Sequence, residues 1–133
     1  LILDEPTSGL DPVSRDDMLE LFQEIIEDGE KSILFSTQII SDLEKCADYI
    51  TYIKDGEIIV SREKDEFLDS YKIVQGNGEQ LTEQLQTKLV GYKKNRFGFS
   101  GMLRTEDLPV AGGLEIAPAD IESIMIYCEK ENK

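Results

Sequence analysis

Asp4 and Glu5 stand side by side directly after Leu1-Ile2-Leu3, so a short apolar strand carries two carboxylates at its end. Paired acids delivered in this way suit a phosphate site, where carboxylates and phosphate oxygens share a hard cation. The dipeptide alone equally describes a buried strand ending in two acids at a turn. A second chemical candidate is Tyr92-Lys93-Lys94-Asn95-Arg96-Phe97-Gly98-Phe99, where bases and aromatics interleave. Such a mixture can stack on nucleic-acid bases and contact phosphates. With only three basic residues it fits better as a hairpin with bases at its tip and aromatics toward the core. Cys46 and Cys128 are far apart, without CxxC spacing or a histidine anywhere in the chain, and read as buried thiols.

The elements around the acids are legible. Asp11 can cap a helix whose first residue is Pro12, because the carboxylate accepts an unpaired N–H and proline has none to leave unpaired. Met18, Leu21, Phe22, Ile25 and Ile26 recur at helical spacing, and Gly29 stands where a left-handed cap is expected. Ser32–Ser36 is a short apolar run of the kind that forms a parallel strand covered on both faces. Strand, helix and strand make one βαβ unit.

The run Leu1-Ile2-Leu3-Asp4-Glu5-Pro6-Thr7-Ser8-Gly9-Leu10-Asp11-Pro12 resembles the Walker B motif and D-loop of ATP-binding-cassette (ABC) ATPases. The resemblance implies that Asp4 positions Mg²⁺ on ATP and that Glu5 polarises the attacking water. It places Ser8, Gly9, Leu10 and Asp11 at a dimer interface, reporting to a facing subunit. Gln38, after the second strand, occupies the spot where the family carries a switch histidine on the terminal phosphate. It is therefore both a catalytic and an ATP-contacting candidate. An amide donates a hydrogen bond but carries no proton or positive charge, so slower or regulated hydrolysis is expected.

The implied fold is α/β: the C-terminal part of an ABC-type P-loop NTPase core over residues 1–70, followed by a small α+β extension over 71–133. Within the core, Ile40, Leu43 and Ala47 suggest a short helix, and Asp55-Gly56 between two β-rich runs predicts a hairpin with a type I′ turn. Residues 46–58 resemble the segment that closes the ABC fold. Residues 62–69 read as a charged helix. In the extension, Tyr71–Val74 is a predicted strand, Gly76-Asn77-Gly78 a turn, Leu81, Leu85 and Leu89 a helix, and Phe97, Phe99 and Leu103 a strand. Ile121, Ile124, Met125 and Cys128 form a last helical stripe, similar to the closing helix of bacterial ABC exporter ATPases.

Charge narrows the partners. The 133 residues carry a net charge of −14, with 19 acids against 6 bases in residues 1–71 and 9 against 8 in 72–133. The acidic first part repels nucleic acid and anionic lipid alike. No glycine is followed by lysine, and Ser-Gly-Gly-Gln does not occur, so the chain contains neither the phosphate-cradling loop nor the ABC signature. The expectation is a piece of a longer ATPase subunit that by itself is inactive, binds no ATP or Mg²⁺, and self-associates through an exposed sheet edge. For the complete subunit the resemblance implies ATP and Mg²⁺, a membrane-spanning permease, a second ATPase subunit and a cytoplasmic place on the inner face of the membrane. A non-transport ABC-type regulatory protein is the alternative.

Overall fold

The computed structural model describes residues 1–130, which form two compact units, one spanning Leu1–Asp48 and one beginning at Tyr49. In the first, strand β1 (Ile2–Asp4) leads through a turn to helix α1 (Pro12–Ile26), then to strand β2 (Leu34–Ser36) and helix α2 (Ile40–Cys46). β1 and β2 pair in parallel, with Ile2 opposite Leu34 and Asp4 opposite Ser36, which is the expected βαβ unit. α1 starts as its residues dictate: Asp11 accepts from the Ser14 N–H at 3.2 Å, and Pro12 is the first helical residue. Gly29 adopts the left-handed conformation, φ 76°. The buried stripe differs by one step from the expectation, since Leu19 and Phe22 are buried whereas Leu21 is exposed. Residues 18, 19, 22, 25 and 26 form the continuous inner face, and Leu21 falls on its flank.

Within its own unit the described residues cover the parallel ladder on one face only, not on both. Phe35 meets Phe22 of α1, ring centroids 5.7 Å apart, while Ile2 and Leu34 remain 80% and 67% exposed. Alternation along a strand explains the split, because Leu3 and Phe35 share the helix-facing side and their neighbours point away.

The second unit opens with hairpin β3 (Tyr49–Lys54) and β4 (Glu57–Glu63). Its turn is the expected one: Asp55 and Gly56 both take positive φ, 51° and 78°. Helix α3 (Lys64–Asp69) follows, shorter than the predicted 62–69 because β4 continues to Glu63. Strands β5 (Tyr71–Gly76), β6 (Gly91–Asn95), β7 (Gly98–Arg104) and β8 (Glu115–Pro118) then form an antiparallel sheet in the order β6-β7-β5-β8. Val74, Phe99 and Leu103 of this sheet pack with Leu85, Ala111 and Leu114 as a core, and Leu81, Leu89 and Val110 complete it. Helix α4 (Glu83–Lys88) holds only Leu85 of the three predicted leucines, because Thr82 caps it and Leu89 ends it. All three still reach the core.

Helix α5 (Ile121–Glu129) lies on the other face, with Ile121, Ile124, Tyr127 and Cys128 buried and the Tyr127 hydroxyl 3.0 Å from Ser100 Oγ. The approach is close: a Cβ at Gly91 would lie 2.6 Å from the Tyr127 carbonyl oxygen. The β3–β4 hairpin packs within this unit, where Tyr52 donates to Glu129 at 2.6 Å and Lys54 donates to the Cys128 carbonyl at 3.1 Å. Burial, then the Glu129 hydrogen bond and charge, push the Tyr52 hydroxyl above its ordinary value of 10.0. The two packing units divide in sequence at 48/49; the expected division at 70/71 rests on resemblance. No helix among the described residues is long and apolar enough to cross a membrane.

Phe97 departs from expectation. It sits at the tip of the β6–β7 hairpin, 86% exposed, while Phe99 is buried. The two-residue turn at Arg96-Phe97 lifts the first aromatic out of the alternating pattern.

Candidate functional site

Parallel pairing sends the ends of β1 and β2 in the same direction, and that decides what lies together. Asp4 is directly opposite Ser36, so the Asp4-Glu5 pair and the Ser36-Thr37-Gln38 segment leave the ladder side by side. The ladder continues one step further, through the Glu5 N–H donating to the Ser36 carbonyl at 2.8 Å. The Ser36 hydroxyl donates to Asp4 Oδ1, and it also accepts weakly from the Glu5 N–H at 3.4 Å. One serine thus orients the Asp4 carboxylate and holds the Glu5 backbone, a role that sequence reasoning missed. The signal available was its place as the last residue of the second strand.

Glu5 is an L-residue in the left-handed region, φ 43°. The chain reverses there: Ser8 N–H donates to the Glu5 carbonyl at 3.2 Å, and Leu10 N–H donates to the Thr7 carbonyl at 3.2 Å. Gly9, φ 80°, supplies a second left-handed step at no steric cost. The turn leaves Ser8, Gly9, Leu10 and Asp11 exposed. Hydrogen bonds from Ser14, its side chain first and its N–H second, hold the Asp11 carboxyl below the usual 3.8. Asp4 and Glu5 are also exposed, as is Gln38, which lies between Thr37 and Ile39 in a turn closed by Ile39 N–H donating to Thr37 Oγ1 at 2.9 Å.

Thr7 is the exception, 1% exposed within an otherwise open turn. Its hydroxyl donates to Asp42 Oδ2 at 2.5 Å, and Asp42 is itself 1% exposed. Arg15 of α1 donates to Asp42 Oδ1 at 3.1 Å and to Ser41 Oγ at 3.1 Å. Sequence reasoning passed over Asp42 and Arg15. The signal was an acid on the apolar side of α2, three residues after Ile39 and four before Cys46, where an uncompensated carboxylate would be costly.

Among the described residues no three His, Cys, Asp or Glu side chains gather as a metal cage. An exposed carboxylate at a strand end nevertheless fits Mg²⁺, which keeps several waters and takes one or two carboxylates plus phosphate oxygens. Asp4 meets that requirement: it is exposed, and the Ser36 hydroxyl engages it at Oδ1.

No family model matches the chain. Curated relatives do. The lantibiotic transport ATP-binding protein SrtF of Streptococcus pyogenes is 42% identical over 65 residues, 49% of this chain and 28% of that protein. The energy-coupling factor transporter ATP-binding protein EcfA2 of Lactococcus lactis is 35% identical over 102 residues, 71% of this chain and 35% of its own length. A putative ABC transporter ATP-binding protein of Mycoplasma pneumoniae is 31% identical over 98 residues, 70% of this chain and 29% of that protein. The chain holds part of an ABC-type ATP-binding domain. It spans about a third or less of the length of these ABC relatives, whose family is that of the P-loop NTPases. The mixed helices and sheets of both units are compatible with that class.

Proposed function

We propose that this chain supplies the Walker B acids, D-loop and switch position of the ATP-binding subunit of an ABC transporter, of the exporter type. The supporting observation is the parallel register that sets Asp4 opposite Ser36, because it brings the two acids and the Gln38 turn to one end of the sheet. In this reading Asp4 holds Mg²⁺ together with nucleotide phosphates and water, and the cation neutralises charge on the phosphates. Glu5 orients and polarises the attacking water. Gln38 gives an amide hydrogen bond to the terminal phosphate. Ser8, Gly9, Leu10 and Asp11 are free of the core and face a second ATPase subunit.

ATP binding and turnover belong to the complete subunit, because the 133 residues contain no GxxxxGK[ST] loop and phosphate needs its backbone N–H groups and lysine. The extension from residue 71 is a separate α+β element in this reading. A membrane-spanning permease is the further partner, which places the subunit on the cytoplasmic side of the membrane. SrtF and EcfA2 are named for different transport systems, so cargo choice is assigned to the permease. Gln38 gives a second reading some support: a non-transport ABC protein with weakened hydrolysis retains the same fold but needs no histidine.

The test is Glu5→Gln in the complete ATP-binding subunit. ATP affinity is expected to stay within about 2-fold while turnover falls by about 10²-fold or more, with a nucleotide-trapped dimer visible by size-exclusion chromatography. Unchanged turnover removes Glu5 from the reaction.

A further inference from the structure

Asp42 is a carboxylate with 1% exposure in a unit whose other acids are solvated, and it lies outside the chemistry assigned to Asp4, Glu5 and Gln38. A buried carboxylate persists only where donors replace water. Here they come from two separate elements: the Thr7 hydroxyl, in the turn after Glu5, reaches Oδ2 at 2.5 Å, and Arg15 of α1 reaches Oδ1 at 3.1 Å. Asp42 itself belongs to α2, which begins two residues after Gln38. Each carboxylate oxygen takes one donor. An asparagine would put an NH2 in place of one of those oxygens, setting a donor against the Arg15 guanidinium or reversing the bond to the Thr7 hydroxyl.

The consequence is mechanical. The turn that follows Glu5 carries no buried side chain except Thr7, and α2 is a seven-residue helix without a side-chain cap at its N-terminus. Arg15 also donates to Ser41, so it grips two consecutive residues of α2 from the side of α1. We propose that Asp42 is a positioning residue that clamps the turn after Glu5 to the helix after Gln38, so that the water-activating and phosphate-contacting segments keep one relative placement. The proposal rests on the reading of Glu5 and Gln38 given above. Asp42 touches neither nucleotide nor water in it. Its effect passes through Thr7.

Thr7→Val tests this, since valine keeps the shape and removes the donor, while Thr7→Ser keeps the donor and serves as the rescue. In the complete ATP-binding subunit, Thr7→Val is expected to lower kcat by about 10-fold or more with KM for ATP changed less than about 2-fold, and Thr7→Ser to restore it. In the 133-residue chain, hydrogen exchange reads the clamp without nucleotide. Thr7→Val is expected to speed exchange by about 10-fold in both the 5–10 turn and the α2 amides, and Thr7→Ser in neither. Faster exchange confined to the turn, or loss of thermal stability with kcat unchanged, overturns the proposal. A wild-type subunit that lacks turnover refutes the ATPase reading instead, and exchange then decides the clamp alone. Asp42→Asn, which retains one acceptor, is expected to reproduce the kcat loss; equal kcat in that variant also overturns the proposal.

Discussion

Replacing Glu5 with glycine is expected to stabilise the first unit even though it deletes a carboxylate from the candidate site. Glu5 holds φ 43° because its neighbours fix both sides of it: its N–H extends the ladder to the Ser36 carbonyl at 2.8 Å, and its carbonyl accepts from Ser8 at 3.2 Å. Relaxing φ would break one or the other. A non-glycine residue in the left-handed region costs roughly 1–2 kcal/mol. Glycine removes that cost but loses roughly 0.5–1 kcal/mol more backbone entropy on folding. At the middle of both ranges the net gain is about 0.5–1 kcal/mol.

The informative comparison is Glu5→Gly against Glu5→Ala. Both remove the charge and the exposed side chain, so only the backbone differs. At an ordinary helical or strand position alanine is favoured by about 0.5–1 kcal/mol; at Glu5 the order reverses. Hydrogen exchange of the α1 amides reports opening of the first unit, and exchange in the glycine variant is expected to be about 2- to 5-fold slower than in the alanine variant. An alanine variant as protected as glycine, or more so, would mean that the positive φ stores no strain and that the reasoning fails. The same acid would then be held for chemistry at no cost to the fold. A glycine advantage instead places Glu5 among residues kept in a strained conformation at a functional site.

Gln38→His in the complete subunit is expected to raise kcat by up to about 10²-fold with KM for ATP nearly constant, because an imidazole can carry charge toward the phosphate where an amide cannot; steady-state ATPase assays decide it. Phe99→Ala is expected to destabilise the second unit by about 3–5 kcal/mol in urea unfolding, whereas Phe97→Ala stays within about 0.5 kcal/mol, since only the first leaves a cavity. Asp120 caps α5 by accepting from Ser123 N–H at 2.7 Å, and Asp120→Ala is expected to cost about 1 kcal/mol near pH 7. The Ser123 side chain first, and its N–H second, hold the Asp120 carboxyl below 3.8, so the cap contributes fully above that pH. Its contribution fades as pH falls through the lowered folded-state value, and urea curves of wild type and Asp120→Ala are expected to converge in acid.

Local chemistry was what the sequence stated most openly. Asp11-Pro12, Gly29 and Asp55-Gly56 each carry a backbone requirement that a few neighbouring residues satisfy, and each lies where its type demands. Helical and strand stripes were legible to within a residue or two, failing at Leu21 and Phe97, where the flank of a helix and the tip of a turn imitate the period of a buried face. Coverage of the β1–β2 ladder was misread for a different reason: Ile2 and Leu34 are apolar on a face that the described residues of their unit do not cover, and composition alone cannot report which face has a partner.

The polar contacts were hidden because they join residues distant in sequence. Ser36 reaches Asp4 across the ladder, and Thr7 reaches Asp42 across 35 positions, so no spacing rule announces either pair. What the sequence did contain was a conflict, an aspartate on the apolar side of a short helix. A conflict of that kind is resolved either by turning the acid out to water or by bringing donors in. α2 takes the second course, recruiting its donors from the turn and the helix that follow the acids. The residue that local patterning explains least is thus the one that ties the candidate site together.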